Sequence, residues 1–162
     1  MVIVLMGVSG TGKTTIGKRL AGQLDWTFIE ADDFHPPANI DKMQNGIPLE
    51  DADRAPWLLA LRLRVAEACS SGENAVLACS ALKHAYQEYL EGHDPACVHY
   101  VLLTGDEELI RKRIEQRKGH FMPPELLKSQ LQALEPPPDA MRVDVSGTPE
   151  DAVRKIRRRF HL

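Results

Sequence analysis

Cysteine is scarce in this sequence. Its three cysteines, Cys69, Cys79 and Cys97, form no C-x-x-C pair and no cluster with histidine. Disulfide frameworks and structural metal sites are usually built from such sets, so the sequence favours neither. An odd number of thiols in a chain without a signal peptide predicts a reducing compartment, which we take to be the cytoplasm.

Long apolar runs are missing as well. The segment from Met1 to Met6 is apolar, but it is much too short for a signal core or a membrane span. We therefore expect a soluble protein with no membrane partner.

The sequence also lacks a basic excess. Its formal net charge is -3, whereas nucleic-acid-binding domains usually carry a strong positive charge. The one terminal basic run, 154–159, is interpreted as the end of a helix, where the helix dipole favours cations. No nucleic-acid partner is expected.

Short apolar runs alternate with segments of helical period along the chain, and no repeat or linker interrupts them. Strands are predicted at Val2 to Met6, Trp26 to Ile29, Ala75 to Cys79, Val98 to Leu103 and Met141 to Val145. The stretch from Ala31 to Pro56 shows no clear period. The alternation predicts a single α/β domain over residues 1–162, with a five-stranded parallel sheet and helices on both faces. Ligands in such folds bind beyond the carboxyl ends of the strands, which lead here into Gly7, Glu30, Ser80, Thr104 and Ser146.

A phosphate-binding loop follows the first strand and opens the first helix. The segment matches G-x-x-x-x-G-K-[ST] in full, with Gly7, Val8, Ser9, Gly10, Thr11, Gly12, Lys13 and Thr14. Its glycines let backbone N–H groups turn toward phosphate at a helix N-terminus. Lys13 is predicted to reach the β- and γ-phosphates of ATP, and the Thr14 hydroxyl to bind Mg²⁺. The fold class is therefore predicted as a three-layer P-loop NTPase.

A P-loop alone does not identify the reaction. The guanine-reading motif N-K-x-D is absent, and motor or helicase ATPases are normally much larger than 162 residues. The small size favours a kinase that acts on a small molecule. A nucleotide-binding regulator without catalysis is the alternative from another class.

Acidic residues follow the second strand, where an acceptor would lie beside the P-loop. An acceptor hydroxyl needs a carboxylate to take its proton, and Asp32 is the candidate, with Asp33 as the alternative. Asp32 is also a candidate Mg²⁺ ligand.

Two cations are candidates for the acceptor side, each with a structural alternative. Arg54 either binds a substrate carboxylate through its planar fork or forms a surface ion pair beside the capping residue Asp53. Lys83 either reaches an anionic group or is a surface lysine. Ser80 either lines the site or caps the helix that follows it.

The basic stretch 111–120 precedes a proline pair and is predicted to form part of a lid over the nucleotide. Arg113 and Arg117 lie four residues apart, on one helix face. Arginines that close over a polyphosphate neutralise charge that develops during transfer. A solvated basic helix face is the alternative.

Taken together, these segments resemble the gluconate kinase family over nearly the whole chain. The resemblance is carried by the P-loop, by Asp32 with His35 and Pro36, and by three segments rich in matches, 39–43, 46–49 and 53–58. It continues through 79–83, 117–121 and 134–136. The family commonly has Gly-Asp before the His-Pro pair, whereas this chain has Ala31, Asp32 and Asp33.

The resemblance implies transfer of the ATP γ-phosphoryl group to the 6-hydroxyl of D-gluconate, with Mg²⁺. It also implies a helical lid, approximately residues 117–138, and a homodimer. Asp32 becomes the implied base, Arg113 and Arg117 clamp phosphate, and the implied acceptor pocket contains His35, Arg54, Lys83 and His120. A related kinase for shikimate or another sugar acid is the second enzymatic hypothesis.

Overall fold

The computed structural model describes residues 1–116 and 124–162 of the chain. Its strands are β1 (Val2–Met6), β2 (Thr27–Glu30), β3 (Ala75–Ala78), β4 (Val98–Thr104) and β5 (Met141–Asp144). Its α-helices are α1 (Lys13–Leu24), α2 (Pro37–Gln44), α3 (Asp51–Ser71), α4 (His84–Glu91), α5 (Glu107–Glu115), α6 (Leu127–Ala133) and α7 (Pro149–Phe160). Short 3₁₀ turns occupy Ala31–Phe34, Pro95–Cys97 and Pro124–Leu126.

Within these described ranges, the strands form one five-stranded sheet in the order β2-β3-β1-β4-β5, and every pairing is parallel. The predicted α/β fold with a five-stranded parallel sheet is confirmed. β1 is central because Val2 pairs with Ala75 of β3 on one side and with Val98 of β4 on the other. All parallel carboxyl ends therefore meet at one edge, directly after the P-loop strand.

Helices cover both faces of the sheet, which explains why β1 is apolar at every position. Val2, Val4 and Met6 pack on the face covered by α3, with Leu61 and Val65 among the contacts. The alternate residues of β1 pack on the other face, against α1 and α7. Successive side chains of a strand point to opposite faces, so a strand between two helical layers must be hydrophobic throughout.

The segment between β2 and α3 is more ordered than its composition predicts. Helix α2 begins after Pro36 and buries Asn39 and Met43, and α3 begins at Asp51 rather than near Pro56. The Glu50 side chain accepts from the N3 backbone N–H and the Asp53 side chain accepts from the N-cap backbone N–H, a capping box that fixes this earlier start. The expectation of an irregular stretch was therefore wrong for residues 37–44.

The expectation that no disulfide forms is also wrong. Cys69, near the end of α3, is bonded to Cys97, just before β4, with an S–S distance of 2.07 Å. The two cysteines are 28 residues apart, and their pairing depends on how α3 packs along the sheet, which spacing along the sequence does not show. Cys79 alone is free, and burial raises the pKa of its thiol to about 12. It belongs to the core, and the cysteine count no longer supports a reducing compartment.

Across the described ranges, the helices are each too short or too polar to cross a membrane.

Candidate active site

A cavity of about 670 Å³ opens at the carboxyl edge of the sheet. It runs from the P-loop past the ends of β2 and β3 and reaches the start of α7. Glu30 and Ser80, two of the residues at predicted strand ends, line it. Ser80 does not cap α4, since Lys83 is the residue at that N-cap.

The P-loop backbone adopts conformations that favour glycine. Gly7 and Gly10 have φ angles of 135° and 82°. A Cβ on Gly10 would lie 2.7 Å from Ile114 Cγ1, and a Cβ on Gly7 would lie 2.7 Å from the Leu103 carbonyl oxygen. Helix α5 and strand β4 therefore hold the loop closely, and a side chain at either glycine would displace it.

The predicted phosphate-binding residues fall into two layers. Ser9 to Thr14 line the cavity, with Gly12 at the N-cap of α1, so a helix N-terminus faces the cavity. Gly7 and Val8 lie beneath, and their carbonyl oxygens each accept a hydrogen bond from Lys13 Nζ at 2.9 Å. The Lys13 ammonium is thereby held at the loop.

Thr14 and Glu30 connect the P-loop to β2. The Thr14 hydroxyl hydrogen-bonds with the Glu30 carboxylate, and both residues line the cavity. Burial raises the pKa of Glu30, while the Thr14 hydrogen bond opposes that shift. With Asp32 on the next turn, the site offers a hydroxyl and two carboxylates, the hard oxygen donors that Mg²⁺ prefers.

The two adjacent acids of the 3₁₀ turn differ in their placement. Asp32 is half-buried and lines the cavity, whereas Asp33 is exposed and lies outside the cavity lining. The turn separates them because successive residues of a tight helix point in different directions.

His35 is fixed by stacking and by a buried amide. Its ring lies parallel to Trp57, with centroids 4.6 Å apart, and Trp57 Nε1 donates to the Ala31 carbonyl at 2.7 Å. Asn39, 3% exposed, donates through Nδ2 to the Asp53 carbonyl and lies 3.3 Å from His35 Nδ1. Burial lowers the pKa of His35. With Nδ1 accepting from Asn39, the neutral ring carries its proton on Nε2.

Arg54 and Lys83 both line the cavity. Arg54 lies on the first turns of α3, and Lys83 precedes α4. Each also forms an ion pair with Asp51, at 3.6 and 3.2 Å. The structure therefore combines both alternatives for these cations, a surface ion pair and a position in the cavity wall.

Arg113 is a further cation of the cavity wall. Its guanidinium donates to the Val145 carbonyl at 2.8 Å, and both residues line the cavity. Arg117 and His120, the other predicted residues of this region, lie outside the described residues.

Helix α6 packs directly on the P-loop. Leu127 joins Val8, Ile110 and Ile114 in a small apolar cluster. Gln130, 8% exposed, accepts a hydrogen bond from the Ser9 backbone N–H at 2.7 Å. Leu127 and Gln130, in the described part of the predicted lid, are thus packed against the phosphate-binding loop.

Sequence reasoning missed several side chains at this site. Glu30 was marked only by its position after a strand, and Tyr86 and Gln130 were not singled out. Both line the cavity, but each comes from a helix whose orientation depends on tertiary packing. The alternation of strands and helices could have indicated Glu30, whereas no local signal indicates Gln130.

A P-loop facing a carboxylate and two cations across one cavity defines a phosphotransferase of the P-loop class that acts on a small acceptor. The protein-family model described as "AAA domain" matches residues 2–137. A gluconokinase of Gluconobacter oxydans is 47% identical over 163 residues, which cover 98% of this chain and 90% of that protein.

Two solved structures are also similar over most of the chain. A sugar kinase from Janibacter sp. superposes with a TM-score of 0.88 at 41% identity, covering 99% of this chain and 94% of the other. A gluconokinase from Sinorhizobium meliloti superposes with a TM-score of 0.83 at 43% identity, covering 95% and 87%. The chain belongs to the gluconokinase family of P-loop kinases, as its motifs predicted.

Proposed function

We propose that the protein is an ATP-dependent gluconokinase that transfers the γ-phosphoryl group of ATP to the 6-hydroxyl of D-gluconate. The products are 6-phospho-D-gluconate and ADP. The observation that carries the proposal is the single cavity that joins the P-loop to Asp32, Arg54 and Lys83. Phosphate donors, an acceptor-side carboxylate and cations for an acid substrate therefore share one space.

The P-loop holds the polyphosphate of ATP in this proposal. Backbone N–H groups from Ser9 to Thr14 bind phosphate oxygens, and Lys13 turns from the Gly7 and Val8 carbonyls toward the transferred group. Thr14 and Asp32 hold Mg²⁺, Asp32 directly or through water, and the ion offsets negative charge on the phosphates when it is bound.

Asp32 acts as the general base. Its carboxylate accepts the proton of the substrate's 6-hydroxyl as that oxygen bonds to the γ-phosphorus and the bond from phosphorus to the leaving ADP oxygen breaks. The cavity lining supports Asp32 over Asp33, which is exposed.

The remaining predicted residues complete the two ends of the site. His35 and His120 contact the polyol, Arg54 and Lys83 bind the acid end, and Arg113 with Arg117 neutralises the phosphates. Residues 117–138 act as a lid that excludes water from the reacting groups. The packing of α6 on the P-loop supports this role for the described part of that segment.

An ADP-release assay with Mg-ATP and a panel of acceptors tests the proposal. The panel contains D-gluconate, shikimate, glucose, glycerate and nucleoside monophosphates. Selective turnover of gluconate is expected, and the gluconokinases at 47% and 43% identity favour it over shikimate. Turnover of a different acid would replace the substrate assignment, and no turnover with any acceptor would favour a nucleotide-binding regulator.

A homodimer and a cytoplasmic location complete the proposal. The homodimer follows from the resemblance. The location follows from the short apolar runs of the sequence alone, because the Cys69–Cys97 disulfide removes the support of the cysteine count. Light scattering of the purified protein measures the first, with the 18.1 kDa monomer mass as reference, and cell fractionation measures the second.

A further inference from the structure

One carboxylate oxygen at the acceptor end of the site accepts two hydrogen bonds and forms an ion pair with a third group. Asp51 Oδ1 lies 2.5 Å from the Tyr86 hydroxyl, 3.2 Å from Lys83 Nζ and 3.6 Å from an Arg54 guanidinium nitrogen. The Asp51 side chain is 71% exposed. An exposed carboxylate in contact with two cations and a phenol is an unusual concentration of donors on one atom.

The three donors belong to the cavity wall. Arg54, Lys83 and Tyr86 all line the cavity, and Lys83 Nζ also lies 5.4 Å from the centre of the Tyr86 ring. They come from two helices, α3 and α4, whose first turns face each other across the Asp51 carboxylate.

The loop that carries Lys83 is anchored from the opposite side. Glu135 donates its backbone N–H to the Leu82 carbonyl at 2.7 Å and accepts from the His84 backbone N–H at 2.6 Å. Gln87, 1% exposed, donates to the carbonyls of Ala81 and Glu135 at 2.8 Å each. These bonds fix the start of α4, so the donors are pre-organised by the fold rather than gathered by Asp51 alone.

The donor set matches the chemistry of a carboxylate ligand. A guanidinium, an ammonium and a phenolic hydroxyl together can satisfy both oxygens of a carboxylate by charge-assisted hydrogen bonds. Hydrogen bonds from Tyr86 and Lys83 lower the pKa of Asp51, so its side chain is itself a carboxylate at neutral pH. Asp51 is the first residue of α3, where an exposed side chain has room to rotate away.

We propose that Asp51 stands in for the carboxylate of the sugar acid, and that substrate binds by displacing it from Arg54, Lys83 and Tyr86. Tyr86 is then a specificity-determining residue of the acceptor site. The inference rests on the proposed function, since a sugar-acid acceptor supplies the competing carboxylate. It goes further in assigning the subsite and the competitor.

The stand-in has a distinctive consequence for mutation. Asp51→Asn removes the competing charge, and we expect the KM for gluconate to fall roughly three- to tenfold, the scale of one or two exposed ion pairs. The KM for ATP stays unchanged because the P-loop is not involved.

Tyr86→Phe distinguishes displacement of Asp51 by substrate from substrate binding without such displacement. In the wild-type background the hydroxyl is lost equally from Asp51 and from substrate, so the KM for gluconate changes little. In the Asp51→Asn background the same change raises that KM by roughly three- to tenfold, because only substrate then uses the full charge-assisted bond. Tyr86→Phe also reduces the preference for gluconate over its neutral analogue D-gluconamide, measured as the ratio of their kcat/KM values.

The experiment is a double-mutant cycle of these two changes, with steady-state kinetics on gluconate, D-gluconamide and ATP. Glu88→Gln, an exposed carboxylate of α4 paired only with His84 among the ion pairs of the described residues, is the matched control and leaves all constants unchanged. Circular dichroism checks that each variant is folded.

The outcomes separate the two proposals. Wild-type turnover of gluconate tests the proposed function. The ratios of the gluconate KM between variants test the displacement of Asp51. A rise in the gluconate KM with Asp51→Asn, or an equal effect of Tyr86→Phe in both backgrounds, would overturn the stand-in. An unchanged preference over D-gluconamide would overturn the role of Tyr86 at the carboxylate.

Discussion

Adjacent residues with the same chemistry have different surroundings in this protein. Asp32 lines the cavity and Asp33 is exposed, although both are aspartates of one 3₁₀ turn. A general base must lie within hydrogen-bond reach of the proton that it takes, so placement decides between them where residue type does not.

The two acids therefore give a matched pair of variants. Asp32→Asn is expected to lower kcat by about 10²- to 10⁴-fold, the usual contribution of a general base, and to leave ATP binding largely intact. Asp33→Asn is the control with near-normal kcat. Steady-state kinetics and nucleotide titration measure both, and a larger loss with Asp33→Asn would transfer the role of base to Asp33.

Lys13→Ala tests the phosphate side at the same scale. The ammonium lies 2.9 Å from the Gly7 and Val8 carbonyls, within reach of a phosphate at the loop. Loss of one such stabilising group usually costs 10²- to 10³-fold, and we expect kcat to fall by at least about 100-fold. Lys18→Ala on the same helix provides a control, and a near-normal kcat for Lys13→Ala would refute its assignment.

The placement of residues was predictable where a local motif encodes it. The P-loop from Gly7 to Thr14 requires a strand, a turn and a helix that are contiguous in sequence, so its geometry could be predicted. Asp51 and Tyr86 could not be assigned in this way, because they are 35 residues apart and meet only through the packing of α3 on α4.

At the scale of elements, α6 makes a nearly buried polar contact with the P-loop. Gln130 is nearly buried and accepts from Ser9 N–H, while Leu127 and Leu131 supply the apolar contacts around it. A short helix of this kind is stabilised by docking rather than by its own propensity.

Gln130→Leu is expected to reduce the free energy of unfolding by about 1–3 kcal/mol, because the Ser9 N–H loses this acceptor in a buried setting. Urea unfolding monitored by circular dichroism measures the change. Gln132→Leu, at an exposed position of the same helix, is the control, and equal effects of the two changes would contradict the role of the Gln130 contact.

The turn between α3 and β3 is held by an ion pair with a pH signature. Arg64 donates to both oxygens of Glu73 at 2.8 and 2.9 Å, and these hydrogen bonds lower the pKa of Glu73 from 4.5 to about 2. Because the folded pKa is depressed, the stabilisation is complete above pH 4.5 and is lost as the pH falls toward 2.

Glu73→Gln should accordingly lower the free energy of unfolding by about 1 kcal/mol at pH 7, the scale of one well-formed surface pair. The difference from the wild type should shrink between pH 4.5 and pH 2. Urea unfolding at several pH values measures it, and a difference that does not depend on pH would show that the charge of Glu73 is not the cause.

Strands and helices were predictable where the apolar residues of a segment follow a single period. All five strands and most helices were expected from apolar runs and helical spacing. Helix α2 was missed because it buries little more than Asn39 and Met43, so its sequence lacks an apolar stripe. Its stability comes from contacts with α3, such as the two hydrogen bonds between Lys42 and Asp53.

For the molecule as a whole, the disulfide is the main departure from expectation. It links the end of α3 to the segment before β4, across 28 residues that include β3 and α4. Closing a loop of this size is expected to stabilise the fold by about 3–4 kcal/mol through the entropy of the unfolded chain.

Cys69→Ser with Cys97→Ser should therefore lower the unfolding midpoint, while kcat on gluconate remains near normal because the bond lies at the opposite edge of the sheet from the cavity. Thiol titration of the denatured wild type should find one thiol before reduction and three after it. Three thiols before reduction would show that the bond does not form.

The central position of β1 also constrains how the chain matures on the ribosome. Its two neighbours in the sheet, β3 and β4, follow α1, β2 and the long helix α3 in synthesis order. Val2 cannot meet Ala75 or Val98 until those residues have left the exit tunnel. The most apolar strand thus remains without its partners during much of translation, and nascent chains of this enzyme are expected to be clients of chaperones that bind exposed hydrophobic segments.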